Sequence, residues 1–235
     1  MQSEAENITP EEIIRPQEIP LKMIEAMKED DVVRKILESD SGTWEGYTIE
    51  SHTLMVMTQF EKYFAGKPLP LDFNEDAFLK IVLVHDFGKA RAVAEGDKNK
   101  QHEYNIQLCP EILKNQGLSE KEINIAKALL SSDALGQYIG SREQMNIHNA
   151  ALRIKEMSET AGLTIHDFLE LLIVYYQCDA GAYTEDATIE GIVKGEKSID
   201  HLFIFDPENG QVRFSPMVED KVNLLKERIK VLVPQ

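Results

Sequence analysis

The segment that most constrains this chain is an apolar run at residues 77–84 that ends directly in His85 and Asp86, with Gly88 close behind. An imidazole and a carboxylate at the end of a buried element cost free energy unless each of them finds a partner. Both side chains are also common metal ligands. The run therefore predicts a buried element that carries a polar pair into a functional site.

This apolar run could form either a helix or a buried parallel strand like those of many α/β enzymes. Residues 81–84 alone would suit a strand. However, the pattern begins at Ala77, and Asn74 or Asp72 can cap a helix before it. The rest of the chain also lacks the alternation of strands and helices that accompanies a parallel sheet. We therefore expect a helix that ends at the His-Asp doublet.

Helical spacing of apolar residues recurs through most of the sequence. The pairs Gly117/Ser119 and Gly162/Thr164 separate neighbouring patterns, as C-caps and N-caps do. Near the C-terminus two aromatic-rich segments flank the Asn-Gly pair at 209–210, which predicts a β-hairpin. The fold class is therefore all-α with a small C-terminal β-hairpin. Beyond the apolar run, the predicted helices cover residues 21–37, 48–64, 98–113, 120–130, 142–161, 164–176 and 219–232.

The composition limits the classes of partner. The chain has 43% apolar residues, a net charge of −16 and a pI near 4.8. This acidity argues against broad binding to nucleic acid or to an anionic membrane, but it allows a small phosphorylated substrate. Residues 1–20 lack the features of a signal peptide, and no apolar run reaches transmembrane length. Cys109 and Cys178 form no CxxC pair. We expect a cytoplasmic protein with reduced, buried thiols.

Four side chains stand where a solvated group is not expected. His52 lies on an apolar face of the helix at 48–64, His85 and Asp86 close the apolar run, and Asp179 follows an almost entirely apolar segment. A buried carboxylate needs a cation or several hydrogen-bond donors. Two histidines and two carboxylates suit Mn²⁺, Fe²⁺, Co²⁺, Ni²⁺ or Mg²⁺, and Zn²⁺ is compatible with the same set.

The order His52, then His85-Asp86, then Asp179, with Gly88 and a lysine after the doublet, resembles the HD-domain superfamily of metal-dependent phosphohydrolases. The resemblance implies that these two histidines and two aspartates hold a divalent metal ion. It also implies a helical bundle of about five core helices.

The resemblance covers a little over half of the chain and sets the expected organisation. We expect an N-terminal arm with short helices at 1–45, the HD-domain core at 46–190, and the hairpin and a last helix packed on the core at 191–235. The hairpin edge could also pair with a second copy of the chain, so a homo-oligomer remains open.

Further residues are expected to act beside the metal. His102 opens the helix after the doublet, where relatives carry a histidine that binds phosphate or a second metal; a surface histidine is the alternative reading. Relatives with two metals carry another histidine where this chain has Ser131 and Ser132, so one metal per chain is favoured. Asp133 could act as a base or orient the nucleophile, or it could form a cap or turn. Asp86 would bind the metal and help to orient the nucleophile.

Lysines and an arginine follow the doublet. Lys89 is expected to capture phosphate beside the metal. Arg91, Lys98 and Lys100 either extend this cationic cluster or lie on a solvated loop.

Together these features predict a phosphatase or phosphodiesterase that hydrolyses a phosphomonoester or phosphodiester through a metal-activated water. By resemblance the substrate is a small phosphorylated molecule, with nucleotides as the natural class. One alternative is a catalytically weak nucleotide-binding or regulatory module with the same fold. Another is a purely structural metal site, and emptying such a site would unfold the protein.

Overall fold

The computed structural model describes residues 18–42, 46–141, 145–194, 203–206 and 211–232. Over these residues the protein consists of α-helices and one antiparallel pair of short strands, which confirms the all-α class with a C-terminal hairpin. The predicted arm at 1–17 and the hairpin turn at 207–210 lie outside the described residues. In chain order the elements are α1 (Glu18–Met27), α2 (Asp31–Leu37), α3 (Ile49–Tyr63), α4 (Glu75–Leu83), α5 (Phe87–Ala94), α6 (Gln101–Asn115), α7 (Glu120–Leu130), α8 (Ala134–Ile139), α9 (Ile147–Ala161), α10 (Ile165–Lys194), β1 (Phe203–Asp206), β2 (Gln211–Phe214) and α11 (Pro216–Leu232).

The apolar run before the doublet forms α4, so the prediction of a helix is confirmed. Asn74 caps it, since its Oδ1 accepts a hydrogen bond from the backbone N of Ala77 at 2.9 Å. The Phe78 ring packs against Phe60 of α3, with the ring centroids 5.1 Å apart. α4 ends at Leu83, and a short turn leads directly into α5. The doublet therefore lies between two helices inside the core.

Helix α10 is longer than the sequence analysis predicted. We expected a helix at 164–176 with Asp179 beyond its end, but α10 begins at Ile165, after Thr164, and continues through Asp179. The prediction was wrong because the helix was ended with the apolar run, and Asp179 and Gly181, which follow that run, do not stop a helix. Neither residue removes a backbone hydrogen bond, and a glycine is tolerated inside a helix at a cost of about 1 kcal/mol relative to alanine. Asp179 therefore projects from inside a helix that packs along α3.

The helices pack around a continuous core. α3 lies along α10, α6 lies between α5 and α7, and α9 contacts α7, α10 and α11. The sequence did not predict α8, a short helix capped by Asp133, whose Oδ1 accepts from the backbone N of Gly136 at 3.1 Å. The predicted boundary at residue 190 falls inside α10, and the division into three parts remains a prediction. Among the described helices, none is both long and apolar enough to cross a lipid bilayer.

Candidate metal centre

Three elements bring the four predicted ligands together. α3 carries His52, the turn between α4 and α5 carries His85 and Asp86, and α10 carries Asp179. The first three residues are buried in the core, whereas the side chain of Asp179 is 33% exposed. Residues that are distant in sequence thus meet at one point, which is open to solvent on the Asp179 side.

Local sequence explains why His52 faces inward. Thr48 caps α3, because its Oγ1 accepts a hydrogen bond from the backbone N of Ser51 at 3.1 Å. His52 is one turn further on and shares its face with Val56 and Gln59, which are also buried. The cap therefore fixes where α3 begins, and this start places His52 on the face of the helix that is buried.

The four side chains meet through nitrogen and oxygen atoms. His52 Nε2 lies 3.1 Å from Asp179 Oδ1 and 3.4 Å from Asp86 Oδ2. His85 Nε2 lies 3.3 Å from Asp86 Oδ2 and 3.6 Å from Asp179 Oδ1. One ligand atom from each of His52, His85 and Asp179 lies within 4.8 Å of the other two. These three residues form a group that could hold a metal ion, and Asp86 borders it.

A backbone hydrogen bond fixes the orientation of His85. Its Nδ1 donates to the carbonyl oxygen of Val82 at 2.6 Å, which leaves Nε2 facing the two carboxylates. Among the described residues, Nε2 finds no partner with acceptable hydrogen-bond geometry. A histidine that binds metal through one nitrogen usually donates from the other to a carbonyl or carboxylate. His85 therefore has the geometry of a metal ligand.

The charges at this site are tightly coupled. Burial by itself would lower the pKa of His85, but the nearby carboxylates of Asp86 and Asp179 outweigh it and raise this pKa to about 10. Burial by itself would raise the pKa of both carboxyl groups, but the neighbouring histidines hold both pKa values below the ordinary range, and Lys89 reinforces this at Asp86. Without a metal ion, a protonated His85 and Lys89 balance the charge of the two ionised carboxylates. A bound cation would displace the proton from His85 and take over this role. The mixed nitrogen and oxygen donors fit a divalent cation.

A cavity of about 220 Å³ opens over the candidate ligands. Leu129 and Leu130 of α7 and Leu172, Tyr175 and Tyr176 of α10 form its largely apolar wall. The metal centre therefore lies beside a partly enclosed space with polar and apolar lining. Its volume is below the roughly 300–1,000 Å³ of sites for drug-sized ligands, so it would suit a small substrate.

The other predicted site residues, Lys89, His102 and Asp133, line this same cavity. Lys89 Nζ lies 2.6 Å from Asp86 Oδ2. His102 Nδ1 donates to the carbonyl oxygen of Leu130 at 3.1 Å, and burial lowers the pKa of this imidazole against the opposing effect of that bond. Asp133 is exposed and caps α8. The structure thus places all three beside the candidate ligands.

The other basic residues after the doublet are held elsewhere. Arg91 pairs with Glu95 at 2.8 Å and lies over the ring of Tyr104, 4.1 Å from its centroid. Lys98 donates to the carbonyl oxygen of Gly42. Lys100 Nζ lies 4.0 Å from Asp97 Oδ2. Since all three side chains have partners elsewhere and none of them lines the cavity, Lys89 is the one basic residue of the predicted cluster that does.

Asn105, which the sequence does not single out, is a buried residue of α6 that also lines the cavity. Its Nδ2 donates to the carbonyl oxygen of His85 at 2.6 Å, and its Oδ1 accepts from the backbone N of Gly88 at 2.6 Å. Since α6 carries many polar residues, no pattern in the sequence distinguishes this buried amide from its solvated neighbours.

Comparisons of the chain with protein-family models, with curated proteins and with solved structures give no match. The resemblance to HD-domain proteins therefore depends on the residues and their arrangement.

Proposed function

We propose that this protein is a metal-dependent phosphohydrolase of the HD-domain type that hydrolyses a phosphomonoester or phosphodiester, with nucleotides as the favoured substrates. The observation that carries the proposal is the convergence of His52, His85, Asp86 and Asp179, of which the last three line a cavity. The same cavity contains Lys89, a basic side chain suited to phosphate.

The metal would be held by the two histidines and the two aspartates, with one ion per chain. A bound divalent ion would lower the pKa of a water ligand and polarise a phosphoryl oxygen. Mn²⁺, Fe²⁺, Co²⁺, Ni²⁺, Mg²⁺ and Zn²⁺ are all compatible with this donor set.

The residues around the metal centre support substrate binding and proton handling. Lys89 brings an ammonium group to the edge of the site, where it can bind phosphoryl oxygens. Burial lowers the pKa of His102, which favours its neutral form, and its Nδ1 donates to the carbonyl oxygen of Leu130. Its Nε2 lies 3.3 Å from Gln101 Nε2, so Nε2 can accept a proton from a substrate once that contact is displaced. Asp133 offers a carboxylate at the rim.

The apolar side of the cavity supports the choice of nucleotides. Tyr175 and Tyr176 line the cavity together with leucines of α7 and α10, and the Tyr175 ring centroid lies 6.4 Å from that of His85. A substrate that combines a phosphate with an aromatic base would match both parts, because aromatic and aliphatic side chains suit the flat faces of a base.

Metal-dependent turnover tests the proposal. The protein is stripped with a chelator and reloaded separately with each of the six ions. Phosphate release is then followed from nucleoside monophosphates, and ring opening from cyclic nucleotides. We expect hydrolysis that disappears on stripping and returns with at least one ion. Equal rates with and without metal would overturn the proposal.

A matched pair of variants links the activity to the site. Asp179→Asn removes a charge at the metal centre and keeps the side-chain shape, so it should abolish the metal-dependent rate. Asp76→Asn makes the same chemical change on the first turn of α4, where Asp76 is exposed and pairs with Lys80, and it should leave the rate unchanged. Full activity of Asp179→Asn would contradict the proposed ligand set.

The same experiment separates the two alternatives. Tight nucleotide binding with no turnover under any ion would identify a binding or regulatory module. Loss of the circular dichroism signal of the helices on stripping would identify a structural metal site, whereas a catalytic site should lose activity while the helices persist.

A further inference from the structure

The side chain of Asn105 joins the metal-binding turn to the neighbouring helix. Asn105 lies on α6 and is 3% exposed, so its side chain is almost entirely shielded from solvent. Its Nδ2 donates to the carbonyl oxygen of His85, and its Oδ1 accepts from the backbone N of Gly88, both at 2.6 Å. One amide thus satisfies two buried backbone groups that would otherwise cost free energy.

These two backbone groups lie on either side of Asp86. The carbonyl belongs to the residue before it and the N–H to the second residue after it, so the amide holds both sides of the turn that carries His85 and Asp86. An amide is suited to this task because it offers a donor and an acceptor together. A carboxylate would lack the donor, and an aliphatic side chain would lack both.

The close approach of α6 to the turn depends on a glycine. A Cβ at Gly88 would lie 2.7 Å from the backbone N of Asn105, 2.8 Å from its Oδ1, and nearer still to the carbonyl oxygen of Gln101. Only a residue without a side chain lets α6 come near enough for both hydrogen bonds. Cys109, one turn along α6, adds a contact to the same region because its Sγ donates to the carbonyl oxygen of Val84 at 3.3 Å.

The same helix also carries His102 into the cavity. His102 and Asn105 are three residues apart, so they lie on one face of α6. Asn105 therefore ties the position of His102 to the position of the His85-Asp86 turn. Asn105 itself is neither a proposed metal ligand nor a residue proposed to bind substrate or transfer protons.

We propose that Asn105 is a positioning residue that holds His85 and Asp86 in the orientation required for metal binding. This inference rests on the proposed function, because it assumes that these two side chains are metal ligands. It differs from a role in stability alone, since it predicts a defect in the metal site of a protein that is still folded.

The test compares Asn105→Leu with Leu113→Ala, a variant that creates a cavity two turns further along α6 at a fully buried residue outside the metal-site cavity. Both variants and the wild type are stripped of metal, and their folded state is checked by circular dichroism well below the unfolding temperature. Isothermal titration with Mn²⁺ gives the dissociation constant, and the visible spectrum of the Co²⁺ form reports the coordination geometry.

We expect Asn105→Leu to weaken Mn²⁺ binding by about 10- to 100-fold and to change the Co²⁺ spectrum, as loss of a group that orients metal ligands does. Leu113→Ala should keep the wild-type Mn²⁺ affinity and Co²⁺ spectrum even if it lowers the unfolding temperature. If Asn105→Leu does not fold, Asn105→Ser is measured in the same way.

The outcomes distinguish a failure of the positioning proposal from a failure of the proposed function. Wild-type Mn²⁺ affinity in the folded Asn105 variant would overturn the positioning proposal and leave the proposed function standing. An equal loss of affinity in the Leu113 variant would also overturn it, because the effect would then follow stability. Absence of Mn²⁺ and Co²⁺ binding by the wild type would instead count against the proposed function.

Discussion

Replacing Gly88 with alanine should destabilise the protein by an amount that the packing of α5 on α6 allows us to calculate. The new Cβ would lie 2.7 Å from the backbone N of Asn105 and closer to the carbonyl oxygen of Gln101. Non-bonded contacts of carbon become comfortable only near about 3.5 Å, so the helices must separate by roughly 1 Å. Because both obstructing atoms belong to the backbone of α6, no rotation of a side chain can relieve the contact.

Three contributions determine the size of the effect. Overpacking of this kind costs about 1–3 kcal/mol. Moving α6 away also weakens the two hydrogen bonds of Asn105, each with a net value of about 1 kcal/mol. Alanine returns about 1 kcal/mol through its higher helix propensity. The expected loss is therefore about 2–4 kcal/mol in the free energy of unfolding, or a decrease of roughly 5–15 °C in the unfolding temperature at this chain length.

Urea unfolding of the chelator-treated protein, followed by circular dichroism, measures this loss. Gly181→Ala is the matched control: Gly181 also lies inside a helix, but a Cβ there would meet Gln59 Oε1 at an ordinary 3.4 Å. This control should be neutral or should stabilise the protein by up to about 1 kcal/mol. A Gly88→Ala variant within about 0.5 kcal/mol of wild type would refute the close approach of α6 to the turn.

Other predictions concern a cap, the thiols and the basic residues. Ser119→Ala removes the N-cap of α7 and should lower the free energy of unfolding by about 1 kcal/mol in urea titrations, whereas Ser119→Asp should retain most of it. Burial raises the pKa of the Cys109 and Cys178 thiols, so neither should react with a thiol reagent in the native protein. Both should react in denaturant, and rapid labelling of the native protein would contradict their burial. If the chain is a phosphohydrolase, Lys89→Met should raise the KM for its substrate, while Lys98→Met, on a side chain that binds the Gly42 carbonyl, should not; equal effects would remove Lys89 from the site.

The sequence was a good guide where a local signal exists. The helix before the doublet could be predicted because its cap, Asn74, and its apolar pattern are contiguous in sequence. The end of α10 could not be predicted in the same way. Asp179 and Gly181 weaken a helix only slightly, and packing of α10 along α3 outweighs such local preferences.

The same contrast holds for the candidate site: some of its residues could be predicted from the sequence and others could not. Its ligand types could be selected because charged or imidazole groups in apolar surroundings are conspicuous in a sequence. The directions in which other side chains point could not be predicted from the sequence. Lys89 is one turn after Asp86 and returns to the cavity, whereas Arg91, two residues later, points to a different face of α5 and contacts Tyr104. Asn105 could be found only once the backbone groups it binds were in place.

Titration of the chelator-treated protein with Mn²⁺ tests the central claim, that the two histidines and two aspartates form a metal site. We expect binding of one ion per chain in the wild type and in Asp76→Asn, and loss of that binding in Asp179→Asn. The claim would be contradicted if the wild type bound no ion above background, or if Asp179→Asn bound Mn²⁺ as tightly as the wild type.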